Sequence, residues 1–131
     1  MGVPDTICSK GDGAELEALK LMTGGALAQV VVDATGSNKS MANAMTYCGF
    51  TGRLVYVGIT QAEVAFPHAP VMHRRELTLL ASRNALPPDF TRIIQLIEDE
   101  KIDTRPWITH HATFGELIEK FPTFIQPETG V

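Results

Sequence analysis

Residues 29–36 read QVVVDATG, residues 37–49 SNKSMANAMTYCG and residues 50–60 FTGRLVYVGIT. Gln29–Asp33 is a run of β-branched residues without polar alternation, the pattern of a parallel strand covered on both faces. Asp33-Ala34-Thr35-Gly36-Ser37 interrupts it with small and polar residues. From Asn38 the period turns helical: Met41, Ala42, Met45 and Cys48 recur on one stripe, and Gly49 offers a C-terminal stop. A second apolar run, Leu54–Val57, ends at Gly58. The stretch predicts a right-handed strand–helix–strand crossover. Ligands of open α/β sheets bind at the carboxyl ends of such strands.

The whole chain has 131 residues, 44% hydrophobic and 20% charged, which predicts one soluble globular domain rather than a disordered segment. A net charge of −4 leaves no basic surplus to neutralise phosphates, so nucleic acid is excluded as a partner. The one basic pair, Arg74-Arg75, precedes Glu76 and reads as a solvated loop. Cys8 and Cys48 lie in no metal-type spacing and read as free thiols of a reducing, cytoplasmic protein, with a disulfide between them left open. No apolar run approaches the roughly 20 residues of a membrane span, and the amino terminus lacks the charged start and apolar core of a signal peptide.

Working outward, Asp5–Ser9 (DTICS) is a short strand candidate. Asp12-Gly13-Ala14-Glu15 resembles a capping box opening a helix with Leu16, Leu19 and Met22 on its stripe, ended by Gly24-Gly25. After Thr60, two prolines and two histidines predict a loop with one helical turn near Pro70–Arg75. Leu77–Ser82 (LTLLAS) is a further strand. Pro87-Pro88-Asp89 opens a helix carrying Phe90, Ile93, Ile94 and Ile97, and Arg105–His110 reads as a short extended piece. Thr113-Phe114-Gly115-Glu116 is a capping box, followed by a stripe that Pro122 should stop. Strands alternating with helices predict an α/β fold: a partial doubly wound, Rossmann-like parallel sheet of about four strands.

Motifs of independent chemistry are absent. His68 and His73 are five apart and His110-His111 adjacent; neither spacing puts two imidazoles on one α-helix face, so the histidines read as loop and surface residues and no metal site is expected. There is no G-x-S-x-G elbow, no Walker lysine loop and no G-x-G-x-x-G. Ser37 suits a helix cap better than a nucleophile. Asp33 as a phospho-acceptor would need an acidic pair at an earlier strand end, where Asp12 stands alone in a turn.

Taken together, VVVDATGS (30–37), GRLVYVGIT (52–60), ELTLLASRNA (76–85), the isoleucine-rich helix and ITHHATFGELIEKF (108–121) resemble the second half of the cofactor domain of medium-chain, zinc-type alcohol dehydrogenases, on the polyol and sugar-acid side. TGGALAQVVVD (23–33) is similar to the family's usual lead-in to its fourth strand. The resemblance implies hydride transfer between NAD or NADP and a secondary alcohol in a parent enzyme. It also implies that Ala34, Thr35 and Gly36 line the adenosine side of the cofactor cleft. Val57, Gly58 and Ile59, with Ser82, Arg83 and Asn84, would pass the nicotinamide, mostly through backbone groups, with Gly58 letting the ring approach.

The departures from the family are equally informative. The domain bearing zinc and the proton relay, the glycine-rich turn and the acidic residue selecting NAD are not in this sequence. The chain thus reads as a fragment with no catalytic residue, inactive alone, whose zinc would belong to the missing domain. Without the first two strands, Asp5–Ser9 would either slide beside Gln29–Thr35, or leave that edge to pair or exchange strands with another copy. Resemblance further implies a homodimer through the Leu77–Asn84 edge. The competing expectation is a self-associating, non-catalytic α/β module that binds no nucleotide.

Overall fold

Val30, Val31 and Val32 form the middle of β1 (Ala28–Asp33), as their branched side chains favour extended backbone. β1 pairs in parallel with β2 (Cys48–Tyr56), and β2 with β3 (Thr78–Ala81), giving one sheet in the order β1-β2-β3. The crossover from β1 to β2 runs through α2 (Asn38–Ala44) and a 3-10 turn, Met45–Tyr47. α1 (Ala14–Met22) precedes the sheet, and a π-helix, His68–His73, leads into β3. These elements belong to a unit spanning Pro4–Asn84 in the computed structural model, which describes residues 3–130. A second unit, from Ala85 onward, holds α3 (Pro87–Glu98) and α4 (Phe114–Phe124).

The core of the first unit is small. Ala44, Met45, Cys48, Leu54 and Leu77 are buried together, with Val31, Tyr56, Phe66, Val71, Met72 and Leu79 packed against them. Register explains the selection: Val31, Leu54 and Leu79 stand side by side across the sheet, and so do Val32, Val55 and Leu80 on the opposite face. The first row feeds the core. On the second, Val30, Val32 and Leu80 are 55%, 59% and 45% exposed, so β1 is not covered on both faces as its composition suggested.

Several expectations are corrected by these contacts. Asp5–Ser9 is exposed and has no strand geometry; among the described residues the sheet has three strands instead of four, and β2 is the only strand paired with β1. Local composition cannot hold an edge strand without ladder hydrogen bonds. The helix after Asn38 ends early, and Cys48 opens β2. Gly49 is therefore no helix stop. A Cβ there would run into the Ala26 carbonyl, so its glycine permits close backbone contact. α1 begins without the capping box, because Gly13 is left-handed at the N-cap (φ 90°) while Asp12 Oδ1 accepts the Ala14 N–H at 3.0 Å. Arg75 is not a solvated loop residue: its Nη1 donates to the carbonyls of Thr46 (3.0 Å) and Cys48 (2.7 Å), tying off the end of the crossover.

In the second unit, Asp89 Oδ2 accepts the Leu86 N–H at 2.8 Å, and Glu116 Oε2 accepts the Thr113 N–H and hydroxyl at 2.9 Å each. The expected capping box of α4 is thus formed. Pro122 does not stop α4, which runs on to Phe124. Residues 105–107 form a 3-10 turn, not an extended piece. Among the described residues no helix is long and apolar enough to cross a membrane.

Candidate functional site

The carboxyl ends of β1, β2 and β3 meet at one edge of the parallel sheet, and Asp33 organises it. Its side chain, 4% exposed, receives three bonds: Oδ1 accepts the Thr35 N–H (3.0 Å) and hydroxyl (2.9 Å), and Oδ2 accepts the Ser40 hydroxyl (2.7 Å). Burial by itself would push the carboxyl up. The bonds from Ser40 and Thr35 outweigh it and hold Asp33 below the usual carboxylate range. The aspartate is therefore an ionised brace between the end of β1 and the first turn of α2, not a free acid or base.

Its backbone joins the neighbouring strand end. The Asp33 carbonyl accepts from the Val57 N–H (2.8 Å) and the Gly58 N–H (3.0 Å). Thr35 Oγ1 in turn accepts the Ser37 N–H at 3.1 Å. One strand further, the Ser82 N–H donates to the Tyr56 carbonyl at 2.8 Å. The amides of Val57, Gly58 and Ser82 are thus engaged within the sheet ends.

Gly36 adopts φ 65°, and a Cβ on Gly58 would stand 2.5 Å from the Gly36 nitrogen and 3.1 Å from the Thr35 nitrogen. Gly58 is thus required by the packing of one turn on another, a constraint that precedes any ligand. The structure brings together Ala34, Thr35 and Gly36 with Val57, Gly58 and Ile59; Ser82, Arg83 and Asn84 follow at the end of the adjacent strand. Ala34, Thr35, Val57, Ile59, Ser82, Arg83 and Asn84 are exposed, as residues lining an open edge must be.

Sequence reasoning overlooked two residues. Ser40, seven positions after Asp33, supplies the shortest bond to its carboxylate. Tyr56 donates from its hydroxyl to the Met41 carbonyl at 2.6 Å, and burial first, then the nearby Asp33 charge, pushes its hydroxyl up. A hydroxyl residue one helical turn into the helix after a strand-end aspartate is the available signal for Ser40. A polar cleft of about 260 Å³ borders this region, lined among others by Glu15, Lys39 and Tyr47, with the Tyr47 hydroxyl donating to Glu15 Oε1 at 3.1 Å.

The donor set for a catalytic zinc is a separate question. Such a site takes three protein ligands, and among the described residues no three His, Cys, Asp or Glu side chains converge. The described residues do not fit a catalytic zinc.

A parallel sheet with interlocked turns at its carboxyl edge defines an α/β domain of the Rossmann type. The chain belongs to the zinc-binding dehydrogenase family, whose model matches residues 1–99. It is 37% identical over 103 residues to L-galactonate-5-dehydrogenase of Escherichia coli (strain K12), covering 79% of this chain and 30% of that protein. It is 29% identical over 94 residues to D-xylulose reductase of Saccharomyces cerevisiae, covering 72% and 26%. Among solved structures, zinc dependent alcohol dehydrogenase 2 from Streptococcus pneumonia shares the fold with a TM-score of 0.83 at 16% identity, over 98% of this chain and 37% of that one. The alcohol dehydrogenase of Aeropyrum pernix gives 0.69 at 21% identity, over 76% and 28%. The chain spans about a third or less of the length of these proteins.

Proposed function

We propose that this chain supplies the nicotinamide-side edge of the cofactor cleft in an NAD(P)-dependent dehydrogenase acting on a polyol or sugar-acid secondary alcohol. The observation that carries the proposal is the strand-end edge itself: Asp33 braces the 34–36 turn against the 57–59 turn, and exposed residues lie along both. The names of the relatives support the substrate class, since L-galactonate-5-dehydrogenase and D-xylulose reductase are both similar to this chain. When bound, the nicotinamide would accept or give the hydride; the residues here would orient its ring and exclude water from one side. This sequence contains no glycine-rich diphosphate cradle, so the chain alone binds the dinucleotide weakly and turns over no alcohol. Calorimetric titration of NAD, NADH and NADP into the pure chain tests the proposal. Saturable binding in the millimolar range is expected; no binding by a folded chain overturns the cofactor role for this chain.

A second reading has its own observation. Among the described residues β3 pairs with β2 alone, and Val30, Val32 and Leu80 on the outer face are exposed, which favours a non-catalytic, self-associating module. Both readings include a homodimer through the Leu77–Asn84 edge, and mass in solution tests it. A monomer at high concentration removes the dimer, whereas a dimer that ignores all three dinucleotides favours the second reading.

A further inference from the structure

The segment between β2 and β3 carries a feature that the strand-end edge does not use. Residues 68–73, HAPVMH, form a π-helix. The amides of Met72 and Arg74 each reach back five residues, to the carbonyls of Pro67 and Ala69, both at 3.3 Å. Pro70, inside this turn, has no amide to donate. An α-helix leaves residues five apart separated by about 140° around its axis. Closure from i to i+5 widens the turn and brings them nearer to one face. α-Helical spacing sets His68 and His73 on different faces, whereas this turn brings their rings near each other. Their ring centres stand 6.1 Å apart with planes inclined at 46°, and both residues are exposed.

That separation is within the reach of one shared ion. A metal–nitrogen bond of about 2.0–2.1 Å places the ion roughly 3.2 Å from a ring centre, so two rings can share it up to about 6.4 Å apart. At 6.1 Å the two bonds would meet at the ion at roughly 145°, so the exposed side chains must rotate to reach a tetrahedral or square-planar angle.

We propose that His68 and His73 form a two-imidazole binding site for a borderline divalent transition metal. Imidazole nitrogen suits Cu²⁺, Ni²⁺ and Zn²⁺, and the general order of affinities puts Cu²⁺ first. Ca²⁺ and Mg²⁺ demand oxygen ligands and do not bind. No third His, Cys, Asp or Glu joins the pair among the described residues, so water completes the coordination. The ion fastens the π-turn that leads into β3. The site is independent of the dehydrogenase reading and stands or falls without it.

The test is titration of Ni²⁺, and separately Cu²⁺, into the full chain and its variants, with X-ray absorption counting the imidazoles on the ion. One equivalent should bind with two imidazoles. His68→Ala and His73→Ala should each weaken binding about tenfold or more, since a single imidazole remains. The double variant His110→Ala/His111→Ala should bind as the parent does. Ni²⁺ should raise the melting temperature of the parent but not of the His68 variant. Parent-like binding by either single variant, or loss of binding in the His110/His111 variant, overturns the proposal. If an alanine variant unfolds, His68→Gln and His73→Gln are judged by the same two outcomes.

Discussion

Gly58 lies against Gly36 so closely that a Cβ on Gly58 would stand 2.5 Å from the Gly36 amide nitrogen. The obstacle is backbone, not the end of a flexible side chain, so one of the two turns must move. Gly58→Ala should destabilise the chain by about 1–3 kcal/mol, the usual range for overpacking. Urea denaturation gives the comparison. Gly115→Ala serves as the control, because nothing lies within 4 Å of its Cβ position in α4; it should leave stability unchanged or raise it by up to about 1 kcal/mol. Equal effects at the two positions would refute the tight turn-on-turn contact.

Asp33 should dominate the acid sensitivity of the sheet. Its folded pKa is depressed, so its contribution is fully present above the unfolded value, about 3.9, and is lost as pH falls through the lower folded value. Asp33→Asn should remove that part of the acid slope and cost about 1–3 kcal/mol at neutral pH by leaving its donors poorly matched. Ser40→Ala should cost less, since Thr35 still donates to Oδ1. Stability curves of the parent and Asp33→Asn that stay parallel from pH 5 to pH 2 would rule this out.

Glu116 anchors the other unit's last long helix. Lys120 beside it, then the Thr113 N–H and hydroxyl, lower its carboxyl to about 2. Because the value is depressed, the capping contribution is intact above pH 4.5 and disappears as pH falls through about 2. Carboxyl-detected NMR should place the titration there, and added salt should move it upward by screening Lys120. A titration near 4.5 at low salt would mean that the capping box does not form.

The two cysteines should separate by reactivity. Cys8 is exposed and Cys48 buried, and both are free. Burial pushes the Cys48 thiol up, with Arg75 partly offsetting it. A thiol reagent should label Cys8 at once and Cys48 only on unfolding. Equal labelling rates in the folded chain would contradict the burial of Cys48.

The sequence by itself determined the alternation of helices and strands from α1 to β3, the parallel sheet, the capping box at Thr113 and the family. Each of these is written in short-range patterns: valine runs, helical stripes, a cap with its partner three residues on. The strand-end residues Ala34–Gly36, Val57–Ile59 and Ser82–Asn84 were legible in the same way, because apolar runs ending in glycine or small polar residues mark where strands stop. Only the tertiary structure decided what those turns do to each other. A glycine is silent about which backbone it makes room for, and Gly58 answers to Gly36 across a whole crossover. Asp33 looked like an acid until Thr35 and Ser40 were seen to hold it as a brace. DTICS has the composition of a strand, yet a strand exists through ladder partners, and it has none. His68 and His73 stand on different faces of an α-helix, yet in the π-helix their ring centres lie 6.1 Å apart, a difference made by which carbonyl each amide reaches.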